Sequence, residues 1–353
     1  YLKRIRVELF GENDDEAIAL RDYLRDAYKA AEEFSQLLKQ RANASGFIKT
    51  LLLKRMGSSM KAGLNTSLKM LNEWNTEWDK NEDAPENYYK KESGIKNLSD
   101  EEKRKLSKII ELLEANIDYD PKYELLKSIL YEGKIREKWV NLGCIVFSQY
   151  FDSIQWISEK LTSDYPKEKI GIYAGGEKSG IMEGGIFKRK SKDEIKRMVK
   201  HHEVRLLLGT DAASEGLNLQ TLGTLINLDL PWNPTRLEQR KGRIQRIGQE
   251  REIVYIYNMR YKDSIEDKVH HILSRRLKSI SNLFGQIPDV LEDVWIDIAL
   301  NDLEEAEKRI DHLPKQHPFT IKYQKNVEPI EWENCVNVLD SFEKSSLMKK
   351  AWV

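Results

Sequence analysis

Two short apolar runs, each ended abruptly by polar residues, constrain the fold of this chain more than any other feature. Residues 204–208 lead into Gly209-Thr210-Asp211, and residues 225–228 lead into Asp229. A short continuous apolar run is typical of a strand that is buried on both faces of a sheet. Asp211 follows such a strand directly, which is where ligands gather in α/β proteins. The stretch therefore predicts a buried sheet with a binding site at a strand end.

The residues after the second run predict a helix. Asn233 is a favourable N-cap, Pro234 suits the first helical position, and Gly248 is placed to end the helix. At about 100° per residue, Leu237 and Ile244 fall on one face of this helix. That face is predicted to anchor the helix to the sheet.

Another face of the same helix carries a glutamine and two arginines. Gln239, Arg243 and Arg246 fall within a sector of about 60°, and Gly242 leaves room beside them. The guanidinium group is always charged, and its forked donors match phosphate oxygens. Two aligned arginines therefore suit a polyphosphate. The alternative interpretation is a solvated basic helix face.

The order of the motifs resembles that of a known family. Gly-Thr-Asp is followed by Glu-Gly-Leu-Asn-Leu-Gln at 215–220, Leu-Pro-Trp-Asn-Pro at 230–234 and Gln-Arg-x-Gly-Arg-x-x-Arg-x-Gly-Gln at 239–249. This order resembles motifs V and VI of superfamily 2 helicases. It is more similar to the Swi/Snf family of double-stranded DNA translocases, and within it to the bacterial RapA-like branch. DEAD-box RNA helicases carry His-Arg-x-Gly-Arg-x-Gly-Arg at the last motif instead.

The resemblance implies roles for individual residues. Arg246, with Arg243, is expected to reach the γ-phosphate region as an arginine finger, and Gln239 to position the arginines or the nucleotide. Asp211 is expected to contact either the ribose or the arginine helix. The remaining residues of the turn are assigned to the nucleotide (Gly209, Glu215, Gly216) or to DNA and its coupling to ATP (Thr210, Ser214). The alternative is a strand-end turn that is satisfied locally.

The chain lacks the motifs that bind most of the nucleotide. No G-x-x-x-x-G-K-[ST] sequence occurs, and no DExx box follows a buried strand. These motifs supply the phosphate-cradling backbone, a lysine and the magnesium-binding groups. In two-lobed helicases both lie in the first lobe. We therefore expect ATP and Mg²⁺ to bind mainly to an N-terminal RecA-like lobe that is absent from this chain, which reads as an inactive fragment on its own.

Five apolar runs that alternate with helical segments predict the fold class. They lie at residues 143–147, 169–173, 204–208, 225–228 and 253–257. Alternation of this kind indicates βαβ units, and hence an α/β fold with a RecA-like parallel sheet and helices on both faces. Three regions follow: a helical inter-lobe region at 1–116, the RecA-like lobe at 117–283 and a helical C-terminal extension at 284–353. Residues 3–9 look like a strand or an extended entry to the first region.

Two further segments carry candidate contacts to DNA. Ser148 and Gln149 end a Val-Phe-Ser-Gln stretch that resembles motif IV, and Gly175 corresponds to the glycine that meets a DNA phosphate in this family. The alternative for Gly175, which opens a glycine-rich loop reaching Gly185, is an ordinary flexible turn.

A basic segment follows that loop. Residues 188–200 hold seven basic and two acidic side chains, a net charge of +5 within 13 residues. Lys188, Arg189 and Lys190 are the candidate contacts to the DNA backbone, which set affinity and position without reading the base sequence. The alternative is a solvated helix face.

Composition excludes some classes of function. The chain has 58 basic and 58 acidic residues, so any basic footprint must be local. Cys144 and Cys335 are far apart, and no metal-ligand spacing is present. No run of 18 apolar residues and no signal peptide is visible, so we expect no membrane partner and a cytoplasmic setting, with nucleoid association in a bacterium.

Two rival functions remain open. The chain could be a lobe of an RNA helicase, or a nucleic-acid-binding scaffold that has lost catalysis. The aligned arginines argue against the second rival. A Ser-x-x-Lys match at 58–61 has none of the other motifs of β-lactamases and is interpreted as chance.

Overall fold

The computed structural model describes most of the chain before residue 269. The described residues are 5–39, 45–72, 97–132, 136–211, 219–231, 234–245, 248–264 and 267–268. The predicted C-terminal extension at 284–353 therefore lies outside the described residues.

The described residues contain one sheet of eight strands. In chain order these are β1 (Arg6–Phe10), β2 (Cys144–Ser148), β3 (Lys169–Tyr173), β4 (Gly180–Glu183), β5 (Ile186–Arg189), β6 (Leu206–Thr210), β7 (Thr224–Asn227) and β8 (Ile253–Asn258). Their order across the sheet is β1-β8-β7-β2-β6-β3-β4-β5. The six strands from β1 to β3 in that order are parallel, and only the β4 and β5 pairings are antiparallel. The predicted α/β fold with a mainly parallel sheet is confirmed.

Nine α-helices surround the sheet or extend from it in the described part of the chain. They are α1 (Asp22–Lys39), α2 (Ser45–Ser58), α3 (Met60–Leu71), α4 (Asp100–Ala115), α5 (Pro121–Lys127), α6 (Arg136–Leu142), α7 (Phe151–Asp164), α8 (Lys192–Lys200) and α9 (Pro234–Ile244). Ser99 and Ser191 each form a capping box with the glutamate three residues later, which fixes the starts of α4 and α8. Both starts agree with the sequence pattern.

The alternation of side chains along β2 shows why both faces of the sheet are covered. Cys144 and Val146 pack into a core that contains residues of α5 and α7. Ile145 and Phe147 pack into a second core that contains Ile195 of α8 and Ile244 of α9. Since successive side chains of a strand point to opposite faces, a strand that is apolar throughout requires helices on both sides.

Helices α1 to α4 form a separate core beside the sheet. Leu24 and Phe34 of α1, Leu52 of α2 and Leu106 of α4 are all fully buried in it. β1 precedes these helices in the chain but pairs with β8 in the sheet. The region predicted as helical from residue 1 therefore begins only after β1.

The segment predicted as a glycine-rich loop forms a hairpin instead. β4 and β5 pair in antiparallel register, with Glu183 opposite Ile186. The two residues between them, Gly184 and Gly185, have φ angles of +55° and +76°. A two-residue turn with positive φ at both positions matches the twist of a hairpin, and glycine adopts it without strain. The prediction missed the strands because each is only four residues long.

The segment after β1 is held against the end of β8. Gly11 has a φ of +82°, and its carbonyl oxygen accepts a hydrogen bond of 3.0 Å from Nε of the buried Arg260. A Cβ atom at Gly11 would lie far inside van der Waals contact with the carbonyl oxygen of Asn258. The close approach of the two backbones therefore requires glycine at this position.

We expect Gly11→Ala to lower the free energy of unfolding by about 3 kcal/mol, from backbone strain and overpacking together. The matched control is Gly184→Ala, which also has a positive φ but has no atom within 4 Å of the added Cβ. It should lose only about 1 kcal/mol. Urea unfolding followed by circular dichroism measures both. Equal losses would show that β1 does not need this close contact.

Candidate functional site

The carboxyl ends of three parallel strands form the candidate site. β2, β6 and β7 are neighbours in the sheet, so the residues that follow them meet at one edge. At these strand ends lie Ser148 and Gln149 for β2, Thr210 and Asp211 for β6, and Asn227 and Asp229 for β7. The open edge of an α/β sheet at such strand ends is the usual position of a ligand site.

Arg240 of α9 joins two of these strand ends. Its Nε and Nη2 donate to the two carboxylate oxygens of Asp211, at 2.5 and 2.7 Å. Its Nη1 donates to Oδ1 of Asn227 and to the carbonyl oxygen of Asp229, both at 3.0 Å. Nη2 also lies 3.6 Å from Oδ1 of Asp229. The guanidinium therefore fastens α9 to the ends of β6 and β7.

The charge of Arg240 is kept although the side chain is only 1% exposed. Burial acts to lower the pKa of Arg240, but attraction and hydrogen bonding from Asp211, and then from Asp229, raise the pKa above its ordinary value. The guanidinium carbon also lies 5.4 Å from the centroid of the Phe147 ring. A buried guanidinium with two carboxylates is stable only as a complete set, because each charge left alone is strongly destabilising.

Asp229 is the second centre of the site. Its Oδ2 accepts hydrogen bonds from Ser148 at 2.6 Å and from Ser58 at 2.5 Å, and its Oδ1 accepts one from the backbone N–H of Gln149 at 3.0 Å. Asp229 and Ser148 have no exposed surface. Gln149 donates through Nε2 to the carbonyl oxygen of Leu230. The end of motif IV is thus bonded to the end of β7 inside the protein.

The two faces predicted for α9, the anchoring face and the face with the glutamine and two arginines, lie partly within the described residues. Ile244 is fully buried, as predicted for the anchoring face, while Leu237 is half-buried. Gln239 is exposed and Arg243 is half-buried. The buried Nε of Arg243 has no hydrogen-bond partner in the described part of the chain. Arg246 lies outside the described residues, as do Asn233, Ser214, Glu215 and Gly216.

The structure shows one of the two contacts expected for Asp211. Both carboxylate oxygens face the arginine helix, and only 5% of the side chain is exposed. The contact with a ribose stays a prediction. Gly209 lies within β6, fully enclosed, and Thr210 is 6% exposed. Ser148 donates to Asp229 inside the protein, and its contact with DNA stays a prediction.

The candidate DNA contacts at the far edge of the sheet have acidic neighbours that the local sequence does not show. Lys188 and Arg189 lie on β5 and are 62% and 60% exposed. Glu183 lies 3.9 Å from Lys188, and Glu177 lies 2.5 Å from Arg189. With these two glutamates included, the net charge of the cluster falls from +5 to +3. Gly175, which precedes this cluster in the chain, is half-buried.

Lys190 forms an ion pair with a residue in the first turn of α8, the helix that directly follows it. Its Nζ lies 3.0 Å from the carboxylate of Glu194. The backbone N–H of Ser191 and then Lys190 hold the pKa of Glu194 at about 2, well below its usual value. Lys190 is therefore less available to a phosphate than the count of charges suggests.

Arg240, Asp229 and Gln249 are among the residues of the site that were not predicted as functional. Arg240 lies about 100° from Gln239 and about 40° from Ile244 around the helix axis, so the helical pattern already places it on the buried flank. Asp229 ends an apolar run in the same way as Asp211. Gln249 donates to the carbonyl oxygens of Leu222 and Ile244, which ends α9. The sequence thus held a signal for Arg240 and for Asp229, but only the contact between them in the fold shows what they do.

The described residues also limit the other kinds of site. None of their helices combines the length and the apolar character needed to cross a membrane. Within the same ranges, no group of three or more His, Cys, Asp and Glu side chains is placed to hold a metal ion.

Together, the mainly parallel sheet and the arginine helix bonded to its carboxyl edge define a RecA-like lobe of the helicase class. Residues 121–248 match the family model of the helicase conserved C-terminal domain. This match contains β2 to β7 and α9, and so it contains the candidate site except for Ser58 and Gln249.

Relatives narrow the class further. The ATP-dependent helicase YqhH of Bacillus subtilis is 38% identical over 162 residues, 44% of this chain and 28% of the relative. The SNF2 domain-containing protein CLASSY 4 of Arabidopsis thaliana is 32% identical over 144 residues, which cover 40% of this chain and 12% of the relative. The RNA polymerase-associated protein RapA of Haemophilus influenzae is 30% identical over 178 residues, which cover 42% of this chain and 19% of the relative. Residues 121–248 are thus a helicase C-terminal domain whose relatives support an SNF2-type superfamily 2 helicase lobe, and the match spans less than a third of each of these relatives.

The buried charge cluster predicts unequal roles in stability for two neighbouring arginines. Arg240→Met should lower the free energy of unfolding by about 3–5 kcal/mol, because Asp211 and Asp229 lose their buried counter-charge. Arg243→Met is the matched control on the same helix and should cost less than about 1 kcal/mol. Urea unfolding of both variants measures this difference. A similar loss for the two would refute the assignment of Arg240 as the anchor.

Proposed function

We propose that this lobe closes on ATP in a Swi/Snf-type translocase that moves along double-stranded DNA. The observation that carries the proposal is the division of the arginines on α9. Arg240 fixes the helix to the sheet, while Arg243 is half-buried with a buried Nε that has no partner in the described residues. A fixed helix with a guanidinium nitrogen that has no partner among the described residues suits a ligand rich in phosphate oxygens.

The proposed mechanism follows from this rigidity. Arg243 lies on α9 with Gln239, and the helical pattern of the sequence places Arg246 on the same face. The two arginines reach a nucleotide only when a first lobe presents it to the carboxyl edge of this sheet. The guanidinium groups then stabilise the charge that develops on the transferred phosphoryl group. ATP supplies that group, and ATP and Mg²⁺ are held mainly by the first lobe. No described residue is assigned to the metal.

The names of the relatives agree with parts of this proposal. YqhH is named an ATP-dependent helicase, and RapA is named as RNA polymerase-associated. The proposal includes placement near the bacterial RapA-like branch and a cytoplasmic setting. It also includes the expectation that the 353-residue chain alone hydrolyses no ATP, because the phosphate-cradling motif lies elsewhere.

In the full-length protein with both lobes, Arg246→Ala should lower DNA-stimulated ATP turnover by about 10³–10⁵-fold. ATP affinity should change much less, since the first lobe supplies most ground-state contacts. Arg246→Lys should restore little, because lysine lacks the planar fork. Steady-state turnover and nucleotide affinity are measured side by side.

Two comparisons make this experiment decisive. Lys241→Ala removes a cation from the same helix, about 200° from Gln239, and should leave turnover near normal. Arg243→Ala tests the second arginine. If Arg243→Ala abolished turnover while Arg246→Ala did not, the finger would be Arg243. Normal turnover in both variants would overturn the proposal.

The proposed DNA contacts rest on the exposed end of β5. Lys188 and Arg189 are more than half exposed, and phosphate contacts of exposed basic side chains release counterions from the duplex. Such contacts place the lobe on one strand without selecting a base sequence. The neighbouring Glu177 and Glu183 reduce the local charge, so we expect binding to be weak.

Changing Lys188, Arg189 and Lys190 together to glutamine should flatten the dependence of duplex DNA affinity on salt. The slope of log affinity against log salt should fall by about 0.9 for each phosphate contact that is lost. The control changes the exposed Arg21, Arg25 and Arg104 of the helical region to glutamine and should leave the slope unchanged. Fluorescence anisotropy over a salt series measures both. A slope that stays the same in the first variant would identify this cluster as a solvated face.

A further inference from the structure

The break between α2 and α3 brings a hydroxyl group of the helical region to the carboxyl edge of the sheet. α2 ends at Ser58, and α3 begins at Met60. Ser59 is the N-cap between them, with extended backbone, and its hydroxyl accepts the backbone N–H of Ala62. Ser58 and Ser59 are at most 1% exposed. The Ser-x-x-Lys match at this point therefore marks a helix junction buried against the lobe.

Ser58 contacts the centre of the candidate site directly. Its Oγ donates to Oδ2 of Asp229 at 2.5 Å and lies 3.0 Å from Oγ of Ser148. A further 2.7 Å contact joins it to Ser153 at the start of α7. The carboxylate of Asp229 thus takes one hydrogen bond from the helical region and others from the end of β2.

The same aspartate contacts the arginine helix on its other side. Arg240 lies 3.6 Å from Oδ1 of Asp229 and donates to its backbone carbonyl oxygen at 3.0 Å. Ser58, Asp229 and Arg240 therefore form a continuous chain of direct contacts. All three are at most 1% exposed, so water does not substitute for a lost partner at low free-energy cost.

Two neighbouring contacts keep Ser58 in place. Arg55, one turn earlier on α2, lies 3.2 Å from the carboxylate of Asp152 and 4.6 Å from the Tyr150 ring centroid. The backbone N–H of Met60 donates to Oδ2 of the buried Asp120 at 2.7 Å. The junction is thus fastened to the lobe on both sides of the serine, and its hydroxyl is presented to Asp229 in one orientation.

We propose that Ser58 is a positioning residue of the candidate nucleotide site. It fixes the carboxylate of Asp229, and through Asp229 it holds Arg240 and the arginine helix at the angle needed for closure. The helical region is then a working part of the site and not only an attachment to it. The catalytic consequence rests on the proposed function, whereas the effect on α9 is a property of the fold.

The experiment uses three single variants of the full-length protein. Ser58→Ala removes the hydroxyl, and Ser58→Cys fills the same space with a weak donor. Ser67→Ala is the matched control, since Ser67 is a fully buried serine of α3 whose hydroxyl donates only to Gly63 of its own helix in the described contacts. Hydrogen exchange of peptides spanning 234–245 reports the local opening of α9. DNA-stimulated turnover and KM for ATP are measured on the same preparations.

Ser58→Ala and Ser58→Cys should each speed exchange in α9 by roughly tenfold, the size expected from losing one hydrogen bond to a charged group. They should lower kcat severalfold and leave KM for ATP within about twofold, because positioning matters in the transition state and not in ground-state binding. Ser67→Ala should change neither quantity.

The proposal is overturned if exchange in α9 does not change in Ser58→Ala, if Ser58→Cys behaves like the wild type, or if Ser67→Ala has the same effect. Faster exchange with unchanged kcat also overturns the positioning role. If the wild-type protein showed no DNA-stimulated turnover, the proposed function would fail. The exchange comparison would then still decide whether Ser58 holds α9.

Discussion

Arg240 is a positive charge inside the protein, and the carboxyl edge of the sheet is arranged around the requirement that it be neutralised. Burial of an unpaired guanidinium is strongly unfavourable, so Asp211 and Asp229 must both be in place when α9 docks. Asp211 directly follows β6, and Asp229 lies two residues after the end of β7. These two strands set the positions of the aspartates. The angle of the arginine helix therefore depends on the ends of β6 and β7 and on the groups that hold Asp211 and Asp229 in place there.

The motif at 239–249 has two tasks in the proposed function, which are to attach its helix to the sheet and to contact a ligand. Different side chains perform them. Arg240 and Gln249 bind only groups of the protein and hold the ends of the segment. Gln239 and Arg243 are left on the side that is exposed or half-buried. A helix that had to bind both the sheet and a mobile ligand with the same side chains would lose one contact whenever it made the other. Under the proposed function, this division allows Gln239 and Arg243 to change partners while the backbone of α9 stays still.

Features that depend on nearby residues could be predicted from the sequence, and features that depend on distant residues could not. The capping boxes at Ser99 and Ser191, the burial of Ile244 and the strand at 169–173 follow from spacings of a few residues. The bond from Ser58 to Asp229 joins positions 171 residues apart, and nothing in either local pattern indicates it. The count of +5 for residues 188–200 also leaves out Glu183, which the hairpin brings beside Lys188.

The position of β1 has a consequence for the order in which the lobe is made. β1 is the outer neighbour of β8, and the two strands are separated by about 240 residues of chain. At a synthesis rate of about 5–20 residues per second, β1 leaves the ribosome roughly 12–50 s before its partner exists. During that interval α1 to α4 can form their own core, because their contacts are local. The first strand of the lobe is then the last to be paired, and a nascent chain carries an unsatisfied strand that a chaperone could occupy.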